Sequence, residues 1–187
     1  MMPKDQRAGA RVDFLDLVFE MIDIRSFSNL WYWMVLAVMW SMLSHYVLGV
    51  PFDMVTRARR RGGQAMADVE DLARIQINRQ LYILQVSGLW LVAANSALLT
   101  VLGVIGFVYS VQFAQALFLL ILPAGIVGAL GLRRAARIQA EGLRGEALCK
   151  ALARQRFVIQ LIGVISIFIT AVWGMYVNIN VGPLLRQ

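Results

Sequence analysis

Four long apolar runs, separated by arginine-rich segments, constrain the fold of this chain more than any other feature. Each run has 21 to 23 residues without Asp, Glu, Lys or Arg, and the four cover residues 30–50, 86–108, 111–132 and 157–177. About 20 such residues allow a helix to cross the roughly 30 Å hydrocarbon core of a bilayer. The sequence therefore predicts an all-α membrane protein with four transmembrane helices over residues 30–177, flanked by tails 1–29 and 178–187.

Positive charge predicts the orientation of these spans. Thirteen of the eighteen Lys and Arg residues lie in 57–79 and 133–156, which follow the first and third spans. Short cytoplasmic loops carry the excess of Lys and Arg, so both segments are expected in the cytoplasm. Both termini and a tight turn near Tyr109 and Ser110 are then expected outside. The basic residues closest to the spans are Arg57, Arg59, Arg60, Arg61, Arg133, Arg134 and Arg137.

The net charge of +7 would favour nucleic acid as a partner if the protein were soluble. Here the positive residues flank membrane spans, where anionic lipid headgroups attract them. Both basic segments also lack the interleaved aromatic residues on which bases stack. We therefore expect the lipid bilayer, and not nucleic acid, to contact these residues.

Two of the helices are expected to extend beyond the membrane. No Gly or Pro interrupts the chain from Gln64 until Gly88, and Glu146 runs without a breaker into the fourth span. The helices of the second and fourth predicted spans should therefore project into the cytoplasm. In the N-terminal tail, residues 12–24 place apolar side chains on one helical face and acidic ones on the other, which predicts an amphipathic surface helix. This helix would either adsorb to lipid or dock on a protein partner.

The two projecting segments also resemble each other. Residues 79–89 and 154–164 align at an offset of 75 with four identities among eleven positions. Two interpretations stay open. The chain contains two parallel-repeat hairpin units of span, basic helix and span, or the match arises by chance between apolar segments.

Small and polar residues within the spans predict where the helices pack. Small residues let helix backbones approach closely in lipid, where hydrophobicity gives no reason to associate. A proline in the third span, Pro123, predicts a kink. The predicted packing residues are Ser41, His45 and Gly49 on the first span, Asn95 on the second, Gly125, Gly128 and Ala129 on the third, and Gly163, Ser166, Thr170 and Gly174 on the fourth.

His45 and Cys149 are the candidates for chemistry. An intramembrane ionisable group is a functional hypothesis by default: His45 would ligate haem, hydrogen-bond a quinone carbonyl, or serve as a neutral hydrogen-bonding residue. Cys149 lies near Lys150 and Arg154, whose charge would lower the pKa of the thiol modestly. No partner base or second thiol accompanies it, so a bystander cysteine is the favoured interpretation. One histidine and one cysteine are too few to ligate a zinc ion or an iron–sulfur cluster within one chain. No resident cofactor is expected.

The residues within the spans limit the classes of function that this chain can have. Transporters generally place charged groups in the membrane to bind and couple ions, and all four spans lack them. No catalytic constellation can be assembled either. These observations favour a non-catalytic accessory, assembly or scaffold protein that binds a membrane-protein partner or its own copies. The alternatives are a small oligomeric channel lined by Ser, Thr and Asn, and a haem- or quinone-binding subunit using His45.

Two short stretches carry a resemblance to known proteins. Residues 25–33, RSFSNLWYW, and 49–54, GVPFDM, resemble a group of alphaproteobacterial four-helix inner-membrane proteins known as a component of the SufBCD complex, the iron–sulfur assembly machinery. The resemblance implies a multi-pass protein of the bacterial inner membrane with a link to cluster assembly. It supplies no residue roles.

Overall fold

The computed structural model describes residues 30–181. The predicted amphipathic helix of the N-terminal tail and most of the C-terminal tail lie outside the described residues. In chain order the elements are α1 (Leu30–His45), β1 (Tyr46–Val47), β2 (Val50–Pro51), α2 (Phe52–Arg61), α3 (Gly63–Gly103), a π-helical turn (Val104–Val108), α4 (Gln112–Glu141) and α5 (Gly145–Val181).

Three of these helices, α3, α4 and α5, are long and apolar enough to cross a membrane. This agrees with the predicted spans at 86–108, 111–132 and 157–177, and it indicates a membrane protein. Helices α3 and α5 are continuous over 41 and 37 residues, as the absence of Pro and the scarcity of Gly predict. Both extend well past the roughly 30 Å of a hydrocarbon core.

The prediction of one helix over residues 30–50 is wrong beyond His45. Helix α1 has 16 residues, about 24 Å at 1.5 Å per residue. The chain then forms an antiparallel hairpin in which Val47 pairs with Val50. Positive φ angles at Leu48 and Gly49 are those of the type I′ turns that match strand twist. Gly49 is therefore a turn residue and does not continue a helical packing stripe.

Beyond the apolar spans the helices form a compact layer, which we call the helical cap. It comprises α2 together with residues 63–85 of α3, 133–141 of α4 and 145–156 of α5. The cap and the hairpin contain fourteen of the eighteen residues in the main buried apolar cluster. Glycines allow the chain to turn between the helices of the cap. Gly62 lies between α2 and α3, Gly63 begins α3, and Gly142 follows the end of α4; all three have positive φ.

The tight turn expected near Ser110 is present, with Ser110 at a positive φ of 58°. The π-helical turn before it widens the backbone, and the side chain of Gln115 donates from Nε2 to the carbonyl of Gly106 at 2.8 Å. Trp173 of α5 donates from Nε1 to Oε1 of the same Gln115 at 3.0 Å. One buried amide therefore satisfies an open backbone carbonyl and links it to α5, which matters where no water is available.

The two ends of the bundle differ in composition. Near the α3–α4 turn, the hydroxyl of Tyr32 donates to the carbonyl of Ala116 at 3.3 Å, so the start of α1 lies beside this turn. The opposite end carries both arginine-rich segments, because they form the helical cap. The structure does not confirm two repeat units: a hairpin and α2 connect α1 to α3, whereas a short turn connects α4 to α5.

The structure buries the predicted packing residues of α5 but not those of α1 and α4. On α1 the buried residues are Leu36 and Trp40, whereas Ser41 and His45 are exposed. On α4, Gly125 is half-buried and both Gly128 and Ala129 are exposed. On α5 every predicted packing residue is buried, and these are Gly163, Ser166, Thr170 and Gly174.

Gly163 and Gly128 differ in the space around them, and this predicts that alanine substitutions at the two positions will differ in their effect on stability. A Cβ at Gly163 would lie 2.8 Å from Cε3 of Trp40, whereas a Cβ at Gly128 would meet no atom within 4 Å. We expect Gly163→Ala to destabilise the protein by about 1–3 kcal/mol, the usual cost of overpacking, and Gly128→Ala to leave stability nearly unchanged. Denaturant titration in detergent micelles measures both variants. Equal effects would contradict the packing of α1 on α5.

Candidate functional site

Helix α2 presents a charged face at the edge of the helical cap. The hairpin reverses the chain after α1, so that α2 lies across the ends of the longer helices. Val55 and Ala58 of α2 are fully buried within the cap. The opposite face of α2 therefore points outward. Its last turn holds three consecutive arginines, Arg59, Arg60 and Arg61, a placement that the negative end of the helix dipole favours.

This outward face forms one wall of an open cleft of about 520 Å³, which we call the basic pocket. Four guanidinium groups reach it from two helices, and Asp53 is its one carboxylate. In the part of the chain that the structure describes, the ion pairs all lie elsewhere, at Arg74, Arg137 and Lys150. The lining residues are His45, Phe52, Asp53, Thr56, Arg57, Arg60, Arg61 and Arg156.

Arg156 of α5 is the most constrained of these groups. Its guanidinium carbon lies 3.9 Å from the centroid of the Phe52 ring, a cation–π contact that restrains the group. The Nε atom is excluded from solvent and has no hydrogen-bond partner among the described residues. Arg156 lines the pocket and makes no hydrogen bond or ion pair within residues 30–181, so the donors at the outer end of its guanidinium remain available there.

His45 lies at this pocket and not in the interior of the bundle. Its ring is exposed and packs edge-on against Tyr46 at a centroid distance of 4.9 Å. The pocket that it lines carries four guanidinium groups against one carboxylate, and this excess of positive charge favours an anion near the imidazole. The pocket therefore gives His45 a different context from the haem or quinone site that its position in the sequence suggested.

Comparisons with known proteins add no assignment. No family model, curated protein or solved structure matches the chain. Within residues 30–181, no three His, Cys, Asp or Glu side chains lie close enough together to hold a metal ion. Any assignment of function therefore rests on the residues and their geometry.

A second cavity, of about 310 Å³, lies between the hairpin and the long helices. Gln80 of α3 and Gln155 of α5 both line it, together with the small residues Gly128 and Gly131 of α4. Gln155 is only 2% exposed, and its Nε2 has no partner among the described residues. The two glutamines are also the matching residues of the sequence alignment at an offset of 75.

A third cavity, of about 500 Å³, is an open crevice between α3 and the α4–α5 turn. Glu70 accepts a hydrogen bond from the backbone N–H of Gly145 at 2.6 Å, and Gln139 donates from Nε2 to Oδ1 of Asn78 at 3.0 Å. These bonds join α3 to both following helices. Their role is to hold the cap together, so the crevice has fewer free polar groups than the basic pocket.

Cys149 is buried, in agreement with its interpretation as a bystander, and the modest lowering of its pKa expected from nearby charge is wrong. Its side chain is fully buried, and Sγ donates to Sδ of Met66 at 3.7 Å. Burial raises the pKa of the Cys149 thiol, and the opposing charge of Arg59 does not reverse that effect. Cys149 is a packing residue of the cap.

Sequence reasoning located the basic residues but did not assemble their pocket. Phe52 and Thr56 were not singled out, although their spacing of four residues places them on one face of a helix. The sequence placed Arg156 in a basic segment but gave no sign that it would contact Phe52. Gln80 and Gln155 carried a signal in the internal alignment, which pairs them.

The burial of Cys149 predicts slow thiol chemistry. We expect N-ethylmaleimide to label the native protein at least about ten-fold more slowly than it labels the protein unfolded in SDS, since the thiolate is the nucleophile. A Cys149→Ala chain carrying Ala140→Cys, at an exposed position of α4, is the control and should react rapidly in both states. Equal rates for native and unfolded Cys149 would contradict the buried placement.

Burial of the Cys149 thiol also predicts how the stability of the fold changes with pH. The folded state holds the Cys149 proton more tightly than the unfolded chain, whose thiol titrates near its ordinary pKa of 9.0. As the pH rises above that value, the unfolded chain loses the proton first, so the stability that Cys149 contributes decreases. Cys149→Ala should reduce this alkaline loss in denaturant titrations at increasing pH.

Proposed function

We propose that this protein is a non-catalytic accessory subunit of a larger membrane complex, and that α3 docks on a transmembrane helix of a partner protein. The observation that carries the proposal is the exposure of Asn95 on α3. In the predicted span 86–108 this residue lies near the middle of the hydrocarbon core. Its side-chain amide lies beside Gly125 of α4, where an added Cβ would come within 3.6 Å of Nδ2, and it makes no hydrogen bond within residues 30–181. A partner helix that packs along the α3–α4 groove would supply the missing hydrogen bond.

The surroundings of Asn95 support a helical partner. In the most apolar window of α3 only 11% of residues are buried, against 22% in α4 and 28% in α5. The run Ala93-Ala94-Asn95-Ser96-Ala97 is exposed and contains only small residues around the amide. Small residues permit a second helix to approach closely, and a mid-membrane amide then bonds across the contact.

The proposal includes a topology. Helix α1 begins beside Ala116 at the turn end and ends at the helical cap, and we propose it as the fourth crossing. The positive-inside rule places the cap in the cytoplasm and the α3–α4 turn in the periplasm of a bacterial inner membrane. If the resemblance to SufBCD-associated membrane proteins holds, the partner belongs to iron–sulfur cluster assembly.

Asn95→Leu tests the docking face. A hydrogen bond between transmembrane helices contributes about 1 kcal/mol, so we expect the variant to recover roughly five-fold less partner in mild detergent, measured by quantitative mass spectrometry. Val101→Leu, which changes a similarly exposed residue on another face of α3, should recover the wild-type amount.

Two outcomes would overturn the accessory role. Undiminished recovery of the partner with Asn95→Leu would show that this face contacts only lipid. Recovery of the wild-type protein solely as a homo-oligomer would favour the channel alternative, and ion flux through reconstituted liposomes would then be the next measurement.

Single cysteines test the topology. In a Cys149→Ser background, Tyr109→Cys at the α3–α4 turn should be labelled by a membrane-impermeant maleimide in intact cells. Ala140→Cys in the cap should be labelled only after the inner membrane is permeabilised, because positively charged segments stay in the cytoplasm. The reverse pattern would place the cap outside.

A further inference from the structure

We propose that the basic pocket is a binding site for the phosphate group of an anionic phospholipid headgroup. The first reason is charge. Arg57, Arg60, Arg61 and Arg156 line one cavity with Asp53 as the single carboxylate, and no described acidic residue forms an ion pair with any of the four. Guanidinium groups gathered in this way repel each other, and a bound anion removes that repulsion.

The second reason is the geometry of Arg156. Its contact with the Phe52 ring, 3.9 Å from Cζ to the centroid, restrains the guanidinium at the wall of the pocket. Guanidinium donors form a planar fork that matches two phosphate oxygens. The hydroxyl of Thr56 already donates to the carbonyl of Phe52 at 3.1 Å, so Thr56 shapes the pocket while the arginines supply the donors.

The third reason is depth in the membrane. The pocket lies where α1 ends at His45 and where the apolar run of α5 begins at Phe157. Two exposed rings flank it in the chain, Tyr46 at 50% exposure and Phe157 at 65%. A tyrosine such as Tyr46, with an apolar ring and a polar hydroxyl, favours the headgroup level, whereas Phe157 adds apolar surface next to it. A phosphate in the pocket would therefore sit at the height of lipid headgroups, with apolar surface directly below for the glycerol and acyl chains.

The size of the cavity supports a headgroup over a bare ion. At about 520 Å³ it falls within the roughly 300–1,000 Å³ range of pockets for organic ligands. Basic pockets between transmembrane helices on the cytoplasmic side bind phospholipid headgroups in other membrane proteins. Phosphate supplied by a lipid is also concentrated at the site by the bilayer itself.

The test is lipid retention by the full chain. The protein is reconstituted in nanodiscs of phosphatidylcholine with or without phosphatidylglycerol, released into the gas phase, and examined by native mass spectrometry. We expect phosphatidylglycerol to be retained at least about ten-fold more than phosphatidylcholine, and retention to decrease as salt rises. Equal retention of the two lipids would overturn the proposal.

Variants assign retention to the pocket. Arg156→Gln and Arg60→Gln should each lower phosphatidylglycerol retention by roughly five-fold or more, because each removes a charge-assisted donor. Arg133→Gln is the matched control, since Arg133 is an exposed arginine of the cap outside the pocket, and it should retain lipid as wild type does. Arg60 is exposed, so Arg60→Gln keeps the test decisive if Arg156→Gln fails to fold. Equal losses in Arg60→Gln and Arg133→Gln would show a general charge effect and overturn the site.

Inorganic phosphate separates the two sources of this chemistry. Added to wild-type protein in neutral detergent, millimolar phosphate should raise the thermal unfolding temperature less than micromolar short-chain phosphatidylglycerol does, because it lacks the apolar contacts. A response to phosphate as large as the response to the lipid would show that the pocket recognises a free anion, and it would overturn the lipid assignment.

Discussion

The change of solvent along the helices governs how this protein is held together. In the helical cap, water drives apolar side chains together, and most of the main buried cluster lies there and in the hairpin. In the membrane, lipid tails solvate the same kinds of side chain, so helices associate through close approach and hydrogen bonds. The contact of Trp40 with Gly163 and the bonds of Gln115 are of this second kind. The cap thus holds most of the buried apolar contacts, while the three spans are sparsely packed.

The same change of solvent explains what the sequence could predict. Long charge-free runs and breaker-free helices are strong signals, and α3, α4, α5 and the turn at Ser110 follow from them. The hairpin after His45 was missed because Val47, Leu48 and Val50 are apolar and extend the charge-free run, so composition does not distinguish a hairpin from a continued helix. Leu48 also adopts a positive φ of 54°, which is rare for such a residue. Burial in the finished fold, and not local preference, selects that turn.

The pocket was missed for a related reason. Composition showed that both arginine-rich segments share one end of the bundle, but a count of charges does not reveal which side chains converge. Convergence requires the hairpin to fold α2 back until Phe52 meets Arg156. The small-residue stripe shows the same division: all its members on α5 are buried, whereas Ser41 on α1 is exposed. Spacing identifies a helical face, and only tertiary contacts decide which face is used.

The amide of Gln115 bears on the order in which the helices assemble. Its bond to the carbonyl of Gly106 is made within the α3–α4 pair, so this pair can enter the bilayer with its open turn already satisfied. The second bond, from Trp173, needs α5. A two-helix unit that is complete in itself, followed by a third helix that recognises one exposed acceptor on it, is a pathway in which insertion precedes association and no step leaves that carbonyl bare in hydrocarbon.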